Sequence, residues 1–493
     1  MAARMTKLET GCEEIENECH AELSEERRQY PAARHGITKR DSLPQIDDND
    51  PLRWPKSKKL LNLALVAFHG FMATFSASAI MSAFVDIAAD LHVPVQKASY
   101  LTSLFIVILG AAPLFWRPLS QAYGRRPIFL ISLVGSMLGN VGCAVTKSYG
   151  TMALCRAITA FFISPAASIG SAVVSEMFLK EERAQYMGVW TAMVTLGVPL
   201  APLLFGFVVL RVGYRWVYWI LAITNGVQFV LYLLFGPESR FIRNENASKS
   251  LIHASWKRQY LTFQRIDPSP ITIWDFLHPL TLAAHLRVAL PAILYSMVFL
   301  WGSVMTTFEI PQIFPELFHL DTQQVGLQFI SVLVGTIIGE QLGGTLSDRW
   351  MLLGRQKTGK QQRPEFRLWL SYIGHLLTIA GTVVFFVQLS KAQTWNVTPL
   401  LGAGISAGGN QIVTTIMITY AVDCYPHDAA AVGVFILLVR QTWGFIGPFW
   451  IPQMVDVLGL AMSSVLATAM IVVVSIIPTV ILQLLGKNNI EEW

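Results

Sequence analysis

The chain has 493 residues, of which 53% are hydrophobic and 14% charged; that balance excludes an ordinary soluble globule and makes the bilayer the expected solvent. A formal net charge of +5 does not signal nucleic acid, because the basic residues sit in short loops beside apolar stretches, where they orient a membrane protein. The five cysteines, Cys12, Cys19, Cys143, Cys155 and Cys424, show no paired spacing, which argues against a disulfide framework or a zinc site.

Residues 1–59 form a polar tail, rich in Glu, Arg and Lys over its first fifty positions and too poor in large apolar residues to fold alone. Twelve apolar stretches follow, near 60–85, 98–116, 128–146, 150–174, 187–210, 216–235, 288–308, 325–346, 368–389, 399–422, 432–455 and 460–485. Each is long enough to cross roughly 30 Å of hydrocarbon at about 1.5 Å per residue. The first lacks a small-residue cleavage site and reads as a spanning helix rather than a removed signal peptide. The expected fold is therefore all-α and integral to the membrane, with twelve transmembrane helices in two pseudo-symmetric six-helix bundles, 60–235 and 288–485. Between them lies a charged central loop, 236–287, whose patch 271–277 suggests an interfacial helix; 486–493 is a short C-terminal tail.

If the N-terminus is cytoplasmic, the inner loops hold most of the Arg and Lys, from Arg53 through Arg125, Arg126 and Arg183 to Arg349 and Arg367, against Lys97, Lys147, Arg211, Arg215 and Lys391 outside. That asymmetry places both termini inside. Asn396-Val397-Thr398 then faces outward as a glycosylation acceptor, while Asn246-Ala247-Ser248 does not.

The halves also repeat weakly, as transporters built from two bundles related by an axis along the membrane normal do. The loop after span two reads Pro118-Leu119-Ser120-Gln121-Ala122-Tyr123-Gly124-Arg125-Arg126, and that after span eight Gly344-Thr345-Leu346-Ser347-Asp348-Arg349-Trp350. Span four ends in Ser175-Glu176 and span ten in Val422-Asp423, so each half puts an acid at the matching exit.

On these residues the sequence resembles the major facilitator superfamily, and within it the twelve-span drug/proton antiporters common in fungi. The loop 119–127 looks like the family's Gly-x-Leu-x-Asp-x-x-Gly-Arg-Arg signature, with Arg117 in place of the first glycine and Gln121 in place of the acid. Two guanidinium groups on such a turn reach helix ends and carboxylates of neighbouring spans and hold one gate state. Glu176 is the expected partner of Arg125, Asp348 and Arg349 form the charged counterpart in the second half, and the second latch is expected to dominate because Gln121 lacks a charge. Span five, with Gly197, Pro199, Pro202 and Gly206, is similar to the antiporter signature ending Gly-Pro-x-x-Gly-Gly. The run Gly335, Gly339, Gly343 in span eight offers a small-residue face, and spans five and eight are expected to pack through it across the halves.

Ionisable residues within hydrocarbon cost several kcal/mol unless paired or facing water, which makes them functional candidates. They are Arg156, Glu309, Glu340 and Arg440. Glu340 is the first choice for a proton carrier and Glu309 the second, since a desolvated carboxylate is easier to protonate near neutrality; the structural alternative pairs Glu340 with Arg440. Aromatic and polar residues that suit a cavity for a bulky amphipathic or cationic ligand include His69, Phe71, Trp190, Gln228, Trp301, Asn410, Tyr420 and Trp443. The segment from Gly354 to Gln361 nearly spells a phosphate-binding loop, but it lacks the closing Ser/Thr and no strand precedes it.

The reading is a secondary transporter with no cofactor or metal and no enzymatic constellation, monomeric, whose partners are a small-molecule substrate, protons and lipid. The resemblance implies proton-coupled efflux at the cell membrane. The alternatives are a transporter of a polyamine, sugar or organic acid, and a non-transporting membrane receptor.

Overall fold

The computed structural model describes residues 50–241, 265–267, 270–358, 363–425 and 428–488; the N-terminal tail to residue 49 and Asn246 lie outside them. Helices cover all twelve apolar stretches, and no strand occurs among the described residues. Spans one to six comprise Lys56–Ser78, the bent pair Val95–Ala111 and Pro113–Tyr123, then Arg125–Val145, Tyr149–Met177, Lys180–Val212 and Arg215–Phe235. Spans seven to ten are Leu286–Phe318, Thr322–Thr358, Ser371–Lys391 and Thr398–Cys424.

Spans eleven and twelve run through one 56-residue apolar helix, Ala429–Leu484. Gly459, at φ +74°, breaks its backbone between the two predicted stretches, a conformation that glycine adopts without steric cost. Length and apolarity qualify nine of the described helices as membrane-crossing, or ten with the bent pair. The helix Thr398–Cys424 is not among them; its middle reads Ser-Ala-Gly-Gly-Asn-Gln, a polar centre packed inside the protein. The near phosphate-loop is helical through Thr358.

The start of span one and the end of span twelve share one face, called the terminal face here. Near it each half has its own core: Trp54, Leu63, Phe129, Met177 and Tyr232 in the first half, and Val288, Leu368, Tyr420, Val432 and Leu482 in the second. Towards the opposite face a single cluster spans both halves, from Phe75, Phe84, Phe105 and Phe205 to Trp301, Phe308 and Phe314. The halves are thus fused at one end and separately packed at the other. Consistent with this, Gly188 and Gly433, near the terminal ends of spans five and eleven, meet no atom within 4 Å where a Cβ would stand.

Lipid tails are as apolar as leucine, so close packing rather than the hydrophobic effect must hold helices together. The fused end shows how. A Cβ on Gly206 of span five would lie 2.9 Å from the Thr322 carbonyl, and one on Gly326 of span eight 2.6 Å from that of Pro202. Spans five and eight therefore meet, but not through the predicted glycine run. Side chains on Gly335 and Gly339 would collide with the carbonyls of Gly404 and Gly408 in span ten, and Gly343 lies over Ile412. The run faces its own half because spacing shows that a small-residue face exists, not which helix it meets. Spans two and eleven close the other side: Gly110 abuts Gln441, Tyr100 stacks on Phe449 at 4.3 Å, and Gln96 donates to the Pro448 carbonyl.

The linker helix Ile273–Thr281 starts with a capping box in which Thr272 and Asp275 satisfy each other's backbone donors. It lies under both halves, with Phe276 beside Phe115 and His278 3.9 Å from Asp428. Overpacking a closed glycine contact costs about 1–3 kcal/mol or more. Gly335→Val is expected to lower the melting temperature by burdening the second half alone. Gly326→Val should slow transport about tenfold or more with near-normal melting, because it strains only the contact between halves; equal effects of the two on both readouts would refute this division.

Candidate functional site

Span three begins at a turn that the chain enters through Gly124, at φ +96°. Only glycine fits there, since the backbone is left-handed and a Cβ would strike the Glu238 carboxylate. That carboxylate arrives from just beyond span six. Its Oε1 accepts from the Arg125 and Arg240 backbone N–H groups at 2.9 and 2.8 Å, and its Oε2 from that of Arg126 at 3.0 Å. Glu238 thus caps the positive end of span three from 113 residues away in sequence. Burial raises its proton affinity, and these donors, with the Arg125 charge, pull it back down.

The two arginine side chains diverge. Arg125 donates from Nη2 to Glu176 Oε1 at 2.8 Å and from Nη1 to Ser120 Oγ at 2.6 Å; the pair is largely shielded from solvent. Arg126 donates to the Leu233 and Gly236 carbonyls at 2.8 and 2.7 Å, closing the negative end of span six. Glu176 also accepts from Ser239 Oγ at 3.2 Å and lies 3.6 Å from Arg240. Spans three, four and six are locked together.

The second half repeats the arrangement with a different arginine. Arg367, just before span nine, donates to Ser347 Oγ at 2.8 Å and pairs with Asp423 at 3.5 Å. Ser120, Arg125 and Glu176 correspond to Ser347, Arg367 and Asp423. Arg349, the residue expected in this role, is exposed, and the Asp348 side chain lies outside the described set. The Asp423 side chain is 40% exposed against 17% for Glu176; the expected dominance of the second latch rests on that aspartate, Asp348.

Between the halves, Gln411 of span ten donates to Glu340 of span eight at 2.6 Å and reaches Thr195 of span five at 3.3 Å. This chain of side chains crosses from one half to the other. The alternative Glu340–Arg440 pair does not form: Arg440 donates to Tyr295 Oη at 2.8 Å and lies over the Phe299 ring at 4.7 Å. Arg156 is likewise part of the framework. Fully buried, it donates to the Ser76 and Ala77 carbonyls at 2.9 and 3.0 Å, closing the end of span one, and covers the Phe105 ring at 4.4 Å. Glu309 is buried near the fused end, and no hydrogen bond or ion pair to it occurs among the described residues.

The expected cavity residues scatter. Trp190 packs against Gly70 and Gly170, joining spans one, four and five, and Phe71 stacks on Phe75 at 4.9 Å. Both are partly exposed. Others turn into bundle interiors: His69 meets Ser132 at 3.2 Å, Gln228 donates to the Leu65 carbonyl, Trp301 is fully buried against Trp450, Asn410 presses on Gly302, and Tyr420 lies in the second-half core. Trp443 packs against the shared core. A helical repeat cannot tell a side chain facing a neighbouring helix from one facing a cavity. Asn396 is exposed and accepts from the Thr398 N–H at 3.0 Å. No group of His, Cys, Asp or Glu suited to a metal occurs among the described residues.

A two-bundle helical membrane protein with paired latches is the architecture of a known class, and residues 66–448 match the Major Facilitator Superfamily. The chain belongs to that superfamily of transporters and is a multi-pass membrane protein. Among curated relatives, the efflux pump vrtL of Penicillium aethiopicum is 26% identical over 89% of this chain and 91% of its own length. The MFS transporter cpaT of Aspergillus oryzae is 27% identical over 84% of each. Two solved structures share the fold, each with TM-score 0.63: the peptide transporter POT with alafosfalin, at 11% identity over 89% of this chain and 96% of that one, and an inward-facing bacterial homologue of the human lysosomal transporter Spinster, at 13% over 87% and 97%.

Removing the Glu238 cap leaves orphaned backbone N–H groups at the start of span three, at about 1–2 kcal/mol. Glu238→Ala should lower the melting temperature by several degrees and impair transport, with Glu238→Gln intermediate because one acceptor oxygen survives. Wild-type melting and transport in both would show that the cap is dispensable.

Proposed function

We propose that this transporter is a proton-coupled exporter of small, largely apolar organic compounds that works by alternating access and acts at the cell membrane as a monomer, with no catalytic chemistry. The observation that carries the reading is the Thr195–Gln411–Glu340 chain, which places a carboxylate where the two halves meet. Protonating Glu340 removes the charge that Gln411 bonds, so occupancy by a proton changes a contact between bundles, the coupling that exchange requires. Glu309, without a basic partner among the described residues, is the second proton site. Export is favoured by the relatives named as efflux pumps. The terminal face is taken as cytoplasmic, so the halves as described open inward.

In vesicles with an imposed pH gradient, Glu340→Gln is expected to abolish gradient-driven efflux of a fluorescent drug while leaving surface expression intact; full activity in that variant would remove Glu340 from the mechanism. The orientation predicts a glycan at Asn396: expression in a glycosylating cell should give a glycosidase-sensitive mass shift lost in Asn396→Gln. A shift lost instead in Asn246→Gln would invert the topology.

A further inference from the structure

A trough of about 1090 Å³ runs along the outside of the second half, between spans eight and ten. Its flanks are the exposed side chains Ile330, Val334, Ile338 and Leu342 on one side and Leu401 and Ile405 on the other. Its floor is the glycine seam, where Gly335 and Gly339 press against Gly404 and Gly408 backbone to backbone. The two helices approach so closely that the seam carries no side chains, and the larger residues beside it rise as walls.

The trough is also two-ended. Towards the face opposite the termini it meets Gln324, Gln328 and Trp395. There the half-exposed Trp395 indole donates to Gln328 Oε1 at 3.1 Å, and Gln328 Nε2 donates to the Gln324 carbonyl at 2.7 Å. From Gln328 to Leu342 the helix advances about 21 Å, more than the roughly 15 Å of one leaflet's hydrocarbon. A polar, tryptophan-marked rim above a long apolar groove matches an amphiphile whose head lies at the membrane interface.

We propose that this trough binds an acyl chain of a bilayer lipid from the leaflet opposite the terminal face, with the headgroup beside Trp395 and Gln324. The occupant is lipid rather than cargo because the glycine seam leaves no passage to the Glu340–Gln411 pair behind it. Specific retention comes from packing in the groove, since lipid and protein are equally apolar. The inference rests on membrane insertion alone and stands whether or not transport is proton-coupled.

The test uses the full chain in vesicles of phosphatidylcholine bearing a photoactivatable diazirine on one acyl chain, with adducts mapped by mass spectrometry. Adducts at residues 330–342 and 401–412 should exceed by about tenfold, or about 1.4 kcal/mol, those on the outer face of span six at Ile223, Val227 and Val230, which are also exposed. Ile405→Trp, which fills the groove, should cut the groove adducts at least severalfold without changing those on span six; Leu401→Trp, one turn away, serves if the first variant folds poorly. Equal labelling of both faces, undiminished labelling in the filled variants, cross-links to a second copy at these residues, or displacement of the label by a transported fluorescent drug would each overturn the proposal.

Discussion

The terminal face depends on one buried carboxylate. Glu238 sits at the positive end of span three, and three backbone N–H groups converge on it. Without it the Gly-Arg-Arg turn would present the unpaired donors of a helix end to a poorly hydrated pocket. With it, Arg125 turns to Glu176 and Arg126 to the end of span six, so that three helices share one network. Each bond is charge-assisted and shielded, the setting in which such bonds are strongest. Between transmembrane helices polar contacts of this kind and close packing do the work that apolar burial does in water.

The same device serves both halves with different parts. Ser120 and Ser347 accept from an arginine that also pairs with the acid ending the neighbouring span, Glu176 or Asp423. In the first half that arginine opens span three; in the second it precedes span nine. The acid of the first latch is the better buried of the two. Away from these latches, a shared core and close glycine contacts join the bundles, so the molecule is held firmly at one end and by sparser contacts at the other. That asymmetry is the mechanical premise of rocking about a central site.

Intramembrane charge turns out to have two uses here. Arg156 and Arg440 are bonded to carbonyls, a tyrosine hydroxyl and ring faces within single halves, and they stabilise helix ends and packing. Glu340 contacts both halves through Gln411, and Glu309 has no basic partner among the described residues. Rarity within the hydrocarbon marked all four residues equally; partners distinguish them.

Hydropathy is a local sum, so the sequence alone determined the helical stretches, and a run of adjacent residues was enough to show the Gly-Arg-Arg turn and the superfamily. It also pointed to an acid for each latch, because Glu176 and Asp423 end matching spans. What it could not determine was every pairing across long separations. That Glu238 caps the start of span three, that Arg367 rather than Arg349 meets Ser347 and Asp423, that the span-eight glycines face span ten, and that His69, Gln228 and Tyr420 point into bundles are facts of helix rotation and neighbour choice. A helical repeat leaves those free, and only the packed tertiary structure, in which each buried charge and each glycine has one geometry that satisfies it, decides them.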